Sequence, residues 1–249
     1  MQYTNRSFLG SMPPVTRHLL IINVLMYLAT FVLQQRGIMD LNSWLGLHFW
    51  KASDFNPYQF FTYMFMHGGV WHLFVNMFSL WMFGALLERV LGSNRFLLYY
   101  IVCGLGAGLA QELMWQFTWQ DILVSHVTGP AATSAQEIIE AINSGHAAFT
   151  MDEFYNSMIT IGASGAAFGI LLAFAMIFPE MPIYIMFIPV PVKAKWAVLG
   201  FGVLELFFGV TGTMSGIAHY AHIGGMIAGI FLILYWKHNG TLRKRYGSY

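Results

Sequence analysis

Ser164 stands in "GASGAAFG", a run of small residues that opens like a hydrolase's nucleophile turn and continues as an apolar helix. His222 stands in "GIAHYAHIGGMIAGIF". His72 and Asn76 stand four residues apart in "MHGGVWHLFVNMFSLW", with His67 just before them. These residue types suit acyl transfer. A serine hydroxyl is a poor nucleophile until a base takes its proton. A neutral imidazole can take that proton and return it to a leaving amine. The tetrahedral intermediate then needs hydrogen-bond donors, which His72, Asn76 and the backbone N–H groups around Ser164 offer. No Asp or Glu in the apolar segments is obviously placed to orient His222, so a dyad is expected rather than a triad. His219, one turn earlier, is the rival base; it lacks a glycine face directly below it. Plainer roles stand beside these. A serine in a spanning helix commonly bonds the carbonyl one turn back, and His72 and Asn76 can bridge helices. Glu205 is a further ionisable group in an apolar segment, open between a structural partner and a cavity-lining residue.

The elements that must position these side chains are greasy. The chain is 57% hydrophobic, 17% aromatic and 9% charged, where a soluble domain carries about 25% charged residues. That deficit points to an all-α polytopic membrane protein. A formal net charge of +1 gives no hint of nucleic-acid binding, and the single cysteine, Cys103, excludes a disulfide within the chain. Nothing calls for a cofactor or a metal. The polar start "MQYTNRSFLGSMPPVTRH" is not a cleavable signal peptide.

Six apolar segments are predicted as spans, roughly 18–35, 70–90, 95–115, 160–178, 194–211 and 217–236. The organisation expected is a cytoplasmic segment 1–17, a membrane domain 18–236 and a basic cytoplasmic tail 237–249. With the N-terminus inside, the inner ends hold Arg6, Arg17, Arg89, Arg95, Lys193, Lys195, Lys237, Arg243, Lys244 and Arg245, and the outer loops only Arg36 and Lys51. That is a strong positive-inside bias. The outer loops, about 36–66 and 116–158, are long. The first is rich in Trp and Phe, as an interfacial segment would be. The second holds "SAQEIIEAINSG", a short amphipathic helix ending near Gly145. "PEMPIYIMFIPVPVKAKW" is expected as an inner loop grazing the membrane.

Helix direction then does some work. Spans two, four and six all start on one side, so the His72/Asn76 pair, Ser164 and His222 fall at similar depth. Gly165 and Gly169 form a G-xxx-G on span four, and Gly225 and Gly229 form one on span six. Such faces let backbones approach closely. If they meet, Ser164 and His222 face each other across a short gap.

In this combination the residues resemble the rhomboid family of intramembrane serine proteases. The resemblance runs from "TYMFMHGGVWHLFVNMFSLWMFGALLERVLGSNRFLLYY" through "GASGAAFG" to "AHIGGMIAG". It implies a six-transmembrane-helix bundle with Ser164 as nucleophile, His222 as base, and His72 and Asn76 in the oxyanion hole. Gly162, Gly165, His67, Gly225 and Gly229 would support the site, and Gly84, Glu88, Gly92 and Arg95 resemble the family's structural signature. It also implies a water-filled cavity open to the outside, with span five and the cap loop after it controlling substrate access. The substrates implied are single-span membrane proteins cut within or beside the bilayer. Many members carry Trp-Arg in the first loop where this chain has Tyr58 and Gln59, a departure that bears on how the loop is anchored and not on the chemistry.

Two other classes of function stay open on the residues. One is a catalytically silent rhomboid-like chaperone or quality-control binder, against which retention of the serine, the histidine and Asn76 speaks. The other is a transporter or proton channel, against which the absence of repeat symmetry and the few acids in the apolar segments speak. The plan suits a bacterial plasma membrane with both termini in the cytoplasm.

Overall fold

The computed structural model describes residues 12–127, 134–184, 190–212 and 217–242. Arg6, Arg243, Lys244 and Arg245, most of the segment 1–17 and most of the tail 237–249 lie outside the described residues.

The chain is an all-α bundle. Helix α1 (Pro14–Gln35) begins with a proline, whose missing N–H costs nothing at a helix start. Short helix α2 (Leu41–Leu45), strand β1 (Leu47–His48) and helix α3 (Gln59–Thr62) follow, then a 3-10 turn at Tyr63–Phe65. The second span is α4 (Val70–Ser79), a wide π turn at Leu80–Gly84 and α5 (Ala85–Leu91). Helix α6 (Ser93–His126) comes next, then α7 (Ala135–Asn143), α8 (Met151–Ser157) and strand β2 (Ile159–Thr160). Helix α9 (Ser164–Ile177) leads to strands β3 (Pro182–Ile183) and β4 (Val192–Lys193), then α10 (Ala194–Thr211) and α11 (His219–His238).

Two predicted boundaries are corrected. The third span does not stop at 115: α6 runs 34 residues to His126, about 50 Å at 1.5 Å per residue, well beyond a hydrocarbon core of about 30 Å. Its overhang packs on α7, α8 and the first loop through Phe49, Trp115, Leu123, Ile138, Phe154 and Met158, a second small core. The long loop is thus largely folded, and its amphipathic helix is α7, followed by Gly145 with φ +75°. The fourth span starts at Ser164, not near 160, and has only 14 residues, about 21 Å. It need not face lipid: Gly165, Ala166, Ala167, Gly169, Ile170 and Ala173 are all buried among its neighbours. Among the described residues five other helical segments are long and apolar enough to cross a membrane. The proline-punctuated segment after α9 folds back as the β3–β4 pair, with Glu180 bridging Lys193 at 2.8 Å and also Lys195. Residues 185–189 of it lie outside the described residues.

The signature "GALLERVLGSNR" explains itself. Glu88 is buried and caps the start of α1, accepting from the Val15 and Thr16 N–H groups at 3.0 and 2.7 Å and from the Thr16 and Ser93 hydroxyls at 2.8 and 2.7 Å. Free N–H groups at a helix start favour such an anion. Gly92 turns the chain into α6 at φ +82°, and a side chain at Gly84 would strike Leu80 at 2.9 Å. Arg95 is exposed.

Helices α6, α9 and α11 form the centre. A Cβ on Gly225 would lie 2.0 Å from the Gly165 carbonyl oxygen, and one on Gly169 would lie 2.5 Å from Cys103 Sγ. On Gly224 it would lie 2.3 Å from Ala110 Cβ, and on Gly229 2.2 Å from the Tyr99 hydroxyl. The Gly165–Gly169 face of α9 therefore meets α11 at Gly225 while Gly229 faces α6, with α9 and α11 running parallel and α6 crossing them the other way. Tyr99 donates to the Gly169 carbonyl and Tyr63 to the Gly104 carbonyl, both at 2.7 Å.

Candidate active site

The nucleophile turn is built from the first loop. Strand β1 pairs antiparallel with β2, Leu47 opposite Thr160 and His48 opposite Ile159. Gln59 fixes this loop. Buried at 1% exposure, its Oε1 accepts from the His48 and Asn56 N–H groups at 3.3 and 3.1 Å, and its Nε2 donates to the Trp44 and Asp54 carbonyls at 3.3 and 2.9 Å. The residue that departs from the family's pattern thus anchors the loop itself. Trp50 N–H reaches buried Glu112 on α6 at 2.9 Å, and Asp152 on α8 accepts from Ser53 hydroxyl and N–H at 2.7 and 2.9 Å. Those Ser53 bonds hold the Asp152 carboxyl below its usual range.

From β2 the chain turns at Gly162, whose φ of +129° disfavours any side chain. Its N–H is held by the Tyr63 carbonyl at 2.9 Å. Ser164 then opens α9, so its side chain sits at a helix N-terminus, where backbone N–H groups lack intrahelical partners.

Ser164 Oγ and His222 Nε2 are 2.8 Å apart. The His222 ring is stacked on Phe168, with ring centroids 4.3 Å apart and planes at 10°. Phe168 lies one turn after Ser164 on the same helix face, a spacing legible in the sequence although no candidate role was assigned to it. His72 also reaches the site: a Cβ on Gly162 would lie 2.7 Å from its Nε2 and 3.6 Å from Ser164 Oγ. Asn76 is buried, but its amide donates to the His72 carbonyl at 2.9 Å. His67 packs edge-on to His72, centroids 5.1 Å apart. Burial pushes the His67 imidazole down to about 4, and neighbouring His72 adds to this.

A cavity of about 380 Å³ reaches these groups. It is lined by Gly68, His72, Gln111, Trp115, Ser164 and His222, among others. Gln111 and Trp115 come from α6, in the turns up to residue 115, just short of the part that overhangs.

The expectation that no acid is placed beside His222 is corrected. Glu205 on α10 has Oε2 2.9 Å from His222 Nδ1 and 2.6 Å from His219 Nδ1. The contact to His219 is a hydrogen bond; the one to His222 is close but off the N–H direction, so that Nδ1 makes no aligned bond. Sequence spacing gave no hint of it, since the carboxylate and the imidazole sit on different helices. The donor atoms of Glu205, His219 and His222 lie within 4.8 Å of one another, near enough to gather on one ion. At 2.6 and 2.9 Å, though, carboxylate and rings already stand at ion-pair distances from each other.

Helix direction and the glycine contacts define a membrane bundle with a serine–histidine pair in a cavity at one end. The sequence matches the Rhomboid domain over residues 54–238, and the chain belongs to the rhomboid family. It is similar to the Rhomboid protease GlpG of Salmonella choleraesuis (strain SC-B67), 30% identical over 99 residues, 40% of this chain and 35% of that protein. It is also similar to RHOMBOID-like protein 4 of Arabidopsis thaliana, 27% identical over 233 residues, 90% of this chain and 44% of that protein. The chain spans less than half the length of these curated relatives. It is an integral membrane protein.

Proposed function

We propose that the protein is an intramembrane serine endopeptidase that cuts membrane proteins in or next to their transmembrane segments. The observation that carries the reading is the 2.8 Å contact of Ser164 Oγ with His222 Nε2, inside a cavity of a membrane bundle. The name of the Salmonella relative agrees with it.

His222 Nε2 takes the Ser164 proton as Oγ attacks the scissile carbonyl carbon. The new oxyanion is met by the free N–H groups at the start of α9 and by His72; the second amide hydrogen of Asn76 is a further donor. The Oγ–C bond forms, the C–N bond breaks, and His222 returns the proton to the leaving amine. Water in the cavity then attacks the Ser164 ester, giving its proton to Nε2, and the acid is released with Oγ reprotonated. A helical peptide bond is shielded by its own turn, so substrates carry Gly or Ser near the cut, where a helix unwinds more readily.

In this reading the Ser164 end faces the outside of a bacterial plasma membrane and both termini lie in the cytoplasm. The positive charges support it: Arg89, Arg95 and Lys237 lie at the opposite ends of the helices that bear the site, Lys237 on the Met176 carbonyl at 3.2 Å.

The test is Ser164→Ala and His222→Ala, each against a single-span substrate in liposomes. Both are expected to abolish cleavage; undiminished cleavage by either overturns the assignment. A fluorophosphonate probe is expected to label Ser164, whereas a silent binder would leave it unlabelled.

A further inference from the structure

We infer that Glu205 is a positioning residue for the His222 base, itself held in place by His219. This rests on the reading of Ser164 and His222 given above.

The argument begins with cost. An ionisable side chain in a spanning helix is expensive unless it is partnered. Helix α10 is mostly apolar and exposed, with Leu204 and Leu206 on either side of Glu205 about half exposed. Yet the Glu205 side chain itself is 14% exposed. The helix is built to seat it. Gly202 and Gly209 flank Glu205 on the face toward α11. A Cβ at Gly202 would lie 3.3 Å from Met226, and one at Gly209 3.1 Å from the Tyr220 ring. Those two glycines let α10 lie close enough for a carboxylate to reach the histidines.

The tautomer supplies the second step. For Nε2 of His222 to accept the Ser164 proton, the ring's own proton must sit on Nδ1. That N–H is buried and has no aligned partner among the described residues. The nearest acceptor is Glu205 Oε2 at 2.9 Å. Contacts of this kind are often misaligned before substrate binds and tighten as charge develops. When Nε2 takes the serine proton, the ring carries both protons and one positive charge, which the carboxylate faces; Glu205 itself takes up no proton.

His219 fixes the carboxylate. Its Nδ1 donates to the same oxygen at 2.6 Å, and its ring leans on Phe208 with centroids 5.7 Å apart. Phe168 fixes the plane of His222 from its face. His219, a candidate base by its position, thus anchors the acid instead. Since Glu205 and His222 come from different helices, the carboxylate reaches Nδ1 only while α10 is seated against α11.

The test uses the full chain in liposomes with a single-span substrate, comparing Glu205→Gln with Glu205→Asp. Glu205→Gln keeps the shape and removes the charge. It is expected to lower kcat by about 10- to 100-fold with KM within about twofold. This is less than the roughly 10⁴-fold cost of neutralising a well-aligned triad acid. Labelling of Ser164 by a small fluorophosphonate probe is expected to slow in parallel, because that probe needs an activated serine and no passage past α10. Glu205→Asp is expected to restore part of kcat. The proposal is overturned by a wild-type kcat in Glu205→Gln, by an effect confined to KM, or by equal loss in both variants with a collapsed unfolding midpoint. It is overturned equally if a chelator abolishes activity and zinc restores it, for then the cluster is a metal site. A Ser164→Ala variant that still cleaves would sink the protease reading instead; an inactive Ser164→Ala beside a fully active Glu205→Gln would sink the positioning role alone.

Discussion

Replacing Gly225 by alanine tests the packing that makes the site. The added Cβ would stand 2.0 Å from the Gly165 carbonyl oxygen and 2.7 Å from its carbon, both backbone atoms that cannot rotate away. An ordinary carbon–oxygen contact needs about 3.3 Å, so α9 and α11 must part by roughly 1.3 Å. Ser164 is the neighbour of Gly165, and His222 lies one turn before Gly225. A separation of that size takes the 2.8 Å contact between Oγ and Nε2 to about 4 Å, outside hydrogen-bond range. A misplacement near 1 Å costs on the order of 100-fold in rate, and overpacking of this kind costs about 1–3 kcal/mol of stability. The assay is kcat on a single-span substrate, with fluorophosphonate labelling and the unfolding midpoint measured on the same sample. Gly200→Ala is the control: nothing lies within 4 Å of the added carbon, so stability should hold or rise by up to about 1 kcal/mol with kcat unchanged. A Gly225→Ala protein with wild-type kcat would refute the claim that this glycine contact sets the serine–histidine distance.

Three further outcomes are expected. Glu88→Ala leaves the Val15 and Thr16 N–H groups of α1 without their acceptor, and the unfolding midpoint in detergent should fall by the equivalent of about 3–5 kcal/mol, with Glu88→Gln recovering part. Gln59→Leu orphans two N–H groups and two carbonyls of the first loop; a loss of about 2–4 kcal/mol is expected, together with a lower kcat, since β1 holds the strand that leads into Ser164. The buried His67 holds its imidazole down at about 4 against an ordinary 6.5, so the unfolded chain binds the extra proton between those values. Stability is complete above pH 6.5 and falls by about 3 kcal/mol as the pH drops toward 4. A His67→Asn variant, followed by unfolding midpoints across that range, should lose this part of the slope.

Much of the site was legible because helix periodicity and direction are local properties. The spacing of His72 and Asn76, the small face of Gly165 and Gly169, and that of Gly225 and Gly229 follow from residues a turn apart. The sign of each span fixed which ends share a side. Boundaries were less legible. The overhang of α6 beyond 115 is stabilised by Phe49, Ile138 and Phe154, which are distant in sequence. Hydropathy alone gives no reason for a helix to continue out of the membrane. The short α9 reads as a span because the residues before it are apolar, yet they pair as β2 with β1 and leave the helix to begin at the serine.

Composition and spacing by themselves determined that this is a membrane-embedded helical bundle and which serine and histidine to watch. Tertiary structure alone decided what surrounds the histidine: Phe168 on its face and Glu205 at its Nδ1. It also decided that Gln59 anchors the loop in which the family's usual residues are absent. The reason is physical. A residue's place along a helix is set by its own chain, but a carboxylate reaches an imidazole on another helix only where packing brings the two together. That distance depends on glycines such as Gly202 and Gly209, whose partners lie across the interface and not along the sequence.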